Sequence, residues 1–93
     1  MIESFADRET EQFFRTGRSR RISSAILRRA AMRLTQLDNA AVVDDLRMPP
    51  SNRLEALSAD RKGQWSIRIN DQWRICFRFE NGEAHDVTLI DYH

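Results

Sequence analysis

An arginine set into a strand-like apolar run, and an acid, a phenol and an imidazole in succession, are the residues of this chain best equipped for chemistry. The arginine is Arg74 within "NDQWRICFRF" (70–79), and the triplet is Asp91-Tyr92-His93, the last three positions of the 93-residue sequence. Together they suit metal-free cleavage of RNA, in which a 2′-OH attacks its own phosphate. A base takes the hydroxyl proton, an acid protonates the leaving oxygen, and a guanidinium stabilises the charge gathering on the phosphorane. Imidazole, with an ordinary pKa near 6.5, serves either proton transfer. DNA lacks the 2′-OH and is no substrate for such a site. Each residue also has a plainer reading. Arg74 would be the wet position of an amphipathic strand, Tyr92 a plug at the sheet end, and His93 a solvated terminal residue. Residue types and spacing alone reach a small α+β domain and leave RNA binding open.

Other chemistries find few candidates. Two histidines and one cysteine give no zinc set, and the acids are not spaced as a magnesium site, so neither metal nor cofactor is expected. Gly17, Gly63 and Gly82 are scattered and make no phosphate cradle. Cys76 lies mid-strand, where a thiol behaves as a small hydrophobe.

Net charge is only +1, but it is unevenly spread. Arg15, Arg18, Arg20, Arg21, Arg28, Arg29 and Arg33 follow one another with no acid between them, and Lys62 is the lone lysine. A second basic zone holds Arg61, Lys62, Arg68, Arg74 and Arg78 against Asp71 alone, and the last fifteen residues carry only acids and two histidines. Arginine offers a planar donor fork suited to phosphate and carboxylate. Two basic zones on a nearly neutral chain point to an anionic partner, though not to a free-standing DNA binder. The plainer reading of 15–33 is a solvated helix face.

These groups need a scaffold. Asp7 is a fitting N-cap for a helix over 7–16 that Gly17 closes, and Ser23 or Ser24 caps a second helix. In that helix Leu27, Ala30, Leu34, Leu37 and Ala41 recur at helical spacing, with Arg28, Arg29, Arg33 and Gln36 turned away. Residues 38–52 read as irregular connection. In "QWSIRIN" and "WRICFRFE" apolar and polar residues alternate, the mark of strands with one buried face. Asn81-Gly82 predicts a tight hairpin, because both central residues of a type I′ turn need positive φ. The last strand, over 83–92, alternates poorly: Val87, Leu89 and Ile90 do not share a face, as in a central strand covered on both sides. With a short strand over Ile2–Phe5 the order is β-α-α-β-β-β, one α+β domain spanning 1–93, with two helices on one face of a small twisted antiparallel sheet. Arg68, Arg74 and Arg78 would then project together from the other face. No apolar run approaches the roughly 20 residues of a membrane span, the start carries no secretory core, and a lone cysteine suits the cytoplasm.

"MIESF", "DRKGQWSIRINDQWRICFRFENG" and the closing "DYH" resemble the HigB toxins of the RelE/ParE superfamily, in order and over essentially the whole chain. The resemblance implies the RelE-like fold, two helices on a twisted antiparallel sheet, and a toxin of a type II toxin–antitoxin module. Its activity would be that of a ribosome-dependent mRNA endonuclease. The partners implied are a helix-turn-helix antitoxin of the HigA type, the ribosome and mRNA, with operator DNA reached only through the antitoxin and no membrane. Arg74 matches the arginine at the scissile phosphate, and Asp91, Tyr92 and His93 the catalytic group. Arg61, Lys62, Arg68 and Arg78 are expected to hold RNA. Two places depart from the family. Glu55 stands where members often carry a histidine, and Ser58-Ala59 where they often carry Lys-Gly. Glu55 is thus a general base, a repulsive charge beside the phosphate, or simply a solvent-facing acid on a short strand, and Arg61 and Lys62 would offset the lost lysine. Two alternatives stay open on the sequence: a ParE-like binding toxin that poisons DNA gyrase, which the DYH ending weighs against, and a weakly active relic serving antitoxin binding and operon control.

Overall fold

The computed structural model describes residues 1–91; Tyr92 and His93, both singled out above, lie outside the described residues. Helix α1 spans Arg8–Thr16 and helix α2 Ser24–Asn39, followed by strands β1 (Glu55–Ala56), β2 (Trp65–Arg68), β3 (Trp73–Glu80) and β4 (Glu83–Asp91). Among the described residues the strands form one antiparallel sheet in the order β1-β2-β3-β4. Short 3₁₀ turns at Val43–Arg47, Pro50–Asn52 and Ala59–Arg61 shape the connections.

Helix α1 starts where expected. The Asp7 carboxylate accepts the Thr10 amide at 2.7 Å, and Gly17 closes the helix at φ 75° with its N–H on the Phe13 carbonyl. In α2, Ala30, Leu34 and Leu37 are fully buried, while Ala41 is exposed and Ala40 takes its place because the helix has ended at Asn39. Ser23 occupies the N-cap position of α2 but makes no side-chain cap bond. These helix residues pack with Phe13 and Leu46 on Ile67, Ile75, Phe77, Val87 and Leu89 of the sheet. Each such buried side chain contributes about 1.5–3 kcal/mol.

Two expectations need correction. Residues 2–5 do not form a ladder strand; they make isolated parallel bridges, Ile2 with Ala84 and Phe5 with Val87. The interruption comes from β4, where Asp86 takes φ 54° and two residues oppose one between Cys76 and Arg78. That bulge also explains the broken alternation. It shifts the inward set by one, so Ala84, Val87 and Leu89 are all buried. Nor is β4 central; it is last in the sheet, and the N-terminal segment runs along its outer edge. Met1 and Ser4 carbonyls accept the Ala84 and Val87 amides, and the Thr10 hydroxyl accepts that of Leu89. Over 84–89 the edge is thus already occupied by the protein's own N-terminal segment.

Candidate active site

The sheet face away from the helices carries two cross-strand rows. Glu55, Ser66, Cys76 and Thr88 are successive register partners across all four strands, and Arg68, Arg74 and Ile90 form the row beside them. Since alternate residues share a face, both rows belong to one surface.

Arg74 does not project from it. Its side chain is only 11 % exposed. Nε donates to the Ser66 hydroxyl at 2.9 Å, diagonally across the β2–β3 pair, and Nη2 donates to the Arg53 carbonyl at 2.8 Å. The same Nη2 lies 3.2 Å from Glu55 Oε1. The outward display expected from alternation fails because a long side chain on a flat face finds better partners by lying down across it. Ser66 and Cys76 are fully buried on this nominally wet face.

The backbone around β1 is shaped for this. Arg53, just before the strand, and Ala59, just after it, both take left-handed conformations, with φ 45° and 54°. Such backbone costs about 1 kcal/mol or more for a residue with a Cβ. At Arg53 it accompanies the turn whose carbonyl receives the guanidinium. At Ala59 it falls in the segment that lines the rim of a neighbouring groove.

Arg61 belongs to the same neighbourhood. Burial pushes the Cys76 thiol up from its ordinary 9.0, with Arg61 and Arg74 pulling it down and Glu55 pushing further. The thiol thus feels the charges of all three side chains. A groove of about 380 Å³, lined by Glu55–Arg61, opens beside them. Arg61 also donates to Gln64 Oε1 at 3.2 Å, and Lys62 is exposed on the adjoining turn.

The other expected residues have partners of their own. Arg68 is the cross-strand neighbour of Arg74 and pairs with the exposed Asp71. Arg78 is held by two carboxylates, Asp86 at 2.9 Å and Glu80 at 3.0 Å, which raise its pKa and cancel its charge locally. The register sets Asp91 beside Trp73 rather than Arg74, and its carboxylate accepts from Gln72 Nε2 at 3.2 Å. The roles read for Tyr92 and His93 fall outside the described residues. Ser66 and the Arg53 carbonyl, which fix the guanidinium, were not among the sequence candidates. The signal for Ser66 was a small hydroxyl residue in the middle of the strand face that carries arginine.

The arginine-rich stretch 15–33 also divides. Arg21 donates to the Leu89 carbonyl and lies over the Trp73 ring, Arg29 donates to the Ile69 carbonyl, and Arg33 to that of Arg68, each at 3.2 Å for the hydrogen bond. Burial and the nearby Arg29 and Arg68 lower the Arg33 pKa. Arg18 and Arg20 line a larger groove of about 910 Å³ with Glu9, Gln12, Thr16 and Ser19, sharing no residue with the Arg74 group. Among the described residues no set of three or more His, Cys, Asp or Glu is placed to hold a metal, and no helix is long and apolar enough to cross a membrane.

Residues 3–93 match the family described as the RelE-like toxin of the type II toxin–antitoxin system HigB. The chain belongs to the HigB-like toxin family. This HigB-like toxin is 38 % identical to Toxin HigB-1 of Vibrio cholerae, over all of this chain and 98 % of that one. It is 33 % identical to Endoribonuclease HigB of Proteus vulgaris over the whole of both. Its fold is also that of a YafQ variant from E. coli (TM-score 0.66, 11 % identity, 98 % of this chain and 93 % of the other). A chain of the YoeB–YefM complex from Staphylococcus aureus gives a TM-score of 0.63 at 13 % identity, covering 100 % and 98 % of the two chains. As a member of a type II module, this HigB-like toxin has an antitoxin as its partner.

Proposed function

We propose that this toxin is an endoribonuclease that cuts mRNA on the ribosome, acting in the cytoplasm by 2′-OH attack on the phosphodiester. The observation that carries the reading is the guanidinium of Arg74. It is fixed by Ser66 and the Arg53 carbonyl beside an open groove, in a chain that aligns end to end with Endoribonuclease HigB. A preorganised donor of this kind stabilises charge developing on the phosphorane without reorganising during reaction.

In this reading Arg74 neutralises the phosphorane, and Asp91, Tyr92 and His93 manage the two proton transfers on the strength of the family likeness. Glu55 borders the phosphate position. Arg61, Lys62 and Arg68 attract the RNA backbone on either side, while Arg78 contributes only if RNA releases it from Asp86 and Glu80. The ribosome holds and aligns the strand, which lets a small site act without high intrinsic affinity. The antitoxin is of the helix-turn-helix, HigA type and brings the complex to operator DNA. Residues 1–93 act as one domain.

The test is cleavage of a defined mRNA by purified toxin, with and without ribosomes, alongside Arg74→Ala. Discrete cuts that need both the ribosome and Arg74 support the reading. Intact mRNA together with gyrase inhibition overturns it in favour of a binding toxin.

A further inference from the structure

We propose that Glu55 is a built-in competitor for the scissile phosphate, a positioning residue that restricts cleavage to RNA anchored at additional points. The inference rests on the RNA-cleaving reading of the Arg74 site. Three observations carry it. The Glu55 carboxylate stands 3.2 Å from Arg74 Nη2, one of the donors a phosphate would use. The pair is asymmetric, with Glu55 53 % exposed and Arg74 11 % exposed, so the acid is the partner that solvent and an arriving anion reach more easily. Glu55 also lines the groove by which an anion would arrive.

Carboxylate and phosphate present similar oxygen pairs to an arginine fork, so each can occupy what the other vacates. Glu55 therefore keeps the guanidinium aimed while no substrate is present, and its charge opposes any phosphate approaching from the groove. An ion pair with one half-exposed partner is weak and swings open easily. RNA held elsewhere, by the ribosome or by Arg61, Lys62 and Arg68, displaces it readily because its phosphate arrives at high effective concentration. A free phosphate or a short free oligonucleotide has no such advantage. The acid thereby makes dependence on an external holder stricter than the fold alone requires.

The experiment compares wild type with Glu55→Gln and Glu55→Ala on a free RNA oligonucleotide and on ribosome-bound mRNA, with inorganic phosphate as a competing anion. Thermal unfolding of each variant confirms that it is folded. The expected result for Glu55→Gln is a rise of about fivefold in kcat/KM on the free oligonucleotide, carried by KM. On ribosome-bound mRNA the change stays below about twofold, and phosphate inhibits at about fivefold lower concentration. Glu55→Ala should move the same way. An unchanged free-oligonucleotide rate overturns the proposal, as does a loss of kcat on both substrates, which would make Glu55 the general base. If no form of the protein cuts RNA, the function reading fails by itself. Calorimetric titration with phosphate then still decides the role of Glu55: tighter binding by Glu55→Gln supports competition, and equal binding overturns it.

Discussion

Arg74 and Ser66 are diagonal neighbours on adjacent antiparallel strands, joined by a 2.9 Å hydrogen bond from the guanidinium Nε to the serine hydroxyl. With the Arg53 carbonyl on Nη2, the bond fixes both the position and the plane of the fork. Lysine keeps the charge but has no second donor arm to reproduce this geometry. Arg74→Lys is therefore expected to lower kcat on ribosome-bound mRNA by about 100-fold, the scale for losing one preorganised donor. Ser66→Ala should lower it by about tenfold by loosening the fork. Single-turnover cleavage rates check both, with far-UV circular dichroism confirming native structure.

Much of this scaffold was legible in the chain. The alternation in 64–70 and 73–80 gave β2 and β3, and Asn81-Gly82 gave their hairpin to β4, with φ 52° and 78° at the two turn residues. Asp7 and Gly17 bounded α1 because their side-chain chemistry acts within one turn of where they stand. What escaped depends on partners distant in sequence. Two-residue β1 has no period to detect and exists only because Glu55 and Ala56 meet Ser66 and Trp65. The bulge at Asp86 broke the alternation of β4, and Val87, Thr88 and Leu89 are buried in succession, so both faces are partly covered as expected although the strand is last in the sheet. Of the candidate site, Arg74 was identifiable, but its posture was not, since that follows from Ser66, Arg53 and Glu55 converging across three strands. Arg21, Arg29 and Arg33 looked like a binding face, yet each donates to a backbone carbonyl.

Ala59 is a point of conformational strain at the rim of the groove, with φ 54° on a residue that has a Cβ. Ala59→Gly is expected to stabilise the fold by about 1 kcal/mol, less the entropy glycine adds to the unfolded chain. For a domain of this size that corresponds to a rise in Tm of about 4–8 °C per kcal/mol. Differential scanning calorimetry checks it; a lower Tm would show that the left-handed backbone costs nothing here.

Asp7 links acid stability to the start of α1. Burial pushes its carboxyl up, but the Thr88 hydroxyl, the Thr10 amide and hydroxyl, and Arg21 outweigh that and hold it below the ordinary 3.8. A carboxyl depressed in the folded state contributes stability above its unfolded pKa and loses it as pH falls through the folded value. The contribution should thus be complete above about pH 5 and disappear progressively below about pH 4. Asp7→Asn should flatten this acid limb and cost about 1 kcal/mol at neutral pH, because asparagine still caps the helix but offers no carboxylate to Thr88, the Thr10 hydroxyl and Arg21. Urea unfolding midpoints from pH 3 to 7 measure both effects.

Cys76 is fully buried between Ser66 and Thr88, and burial raises its pKa. A thiol that is neither accessible nor ionised reacts slowly, so the native protein should label with a thiol reagent at least about 100-fold more slowly than the urea-unfolded chain. Labelling at equal rates would mean that the face beneath Arg74 is open.

The most direct test of the central claim replaces the nucleotide on the 5′ side of the cut by its 2′-deoxy form in a ribosome-bound mRNA. The Arg74-centred mechanism predicts that the unmodified strand is cut to a 2′,3′-cyclic phosphate and a 5′-hydroxyl, and that the 2′-deoxy strand remains whole at that bond. Cutting of the 2′-deoxy strand at the same position, or products bearing a 5′-phosphate, would contradict it.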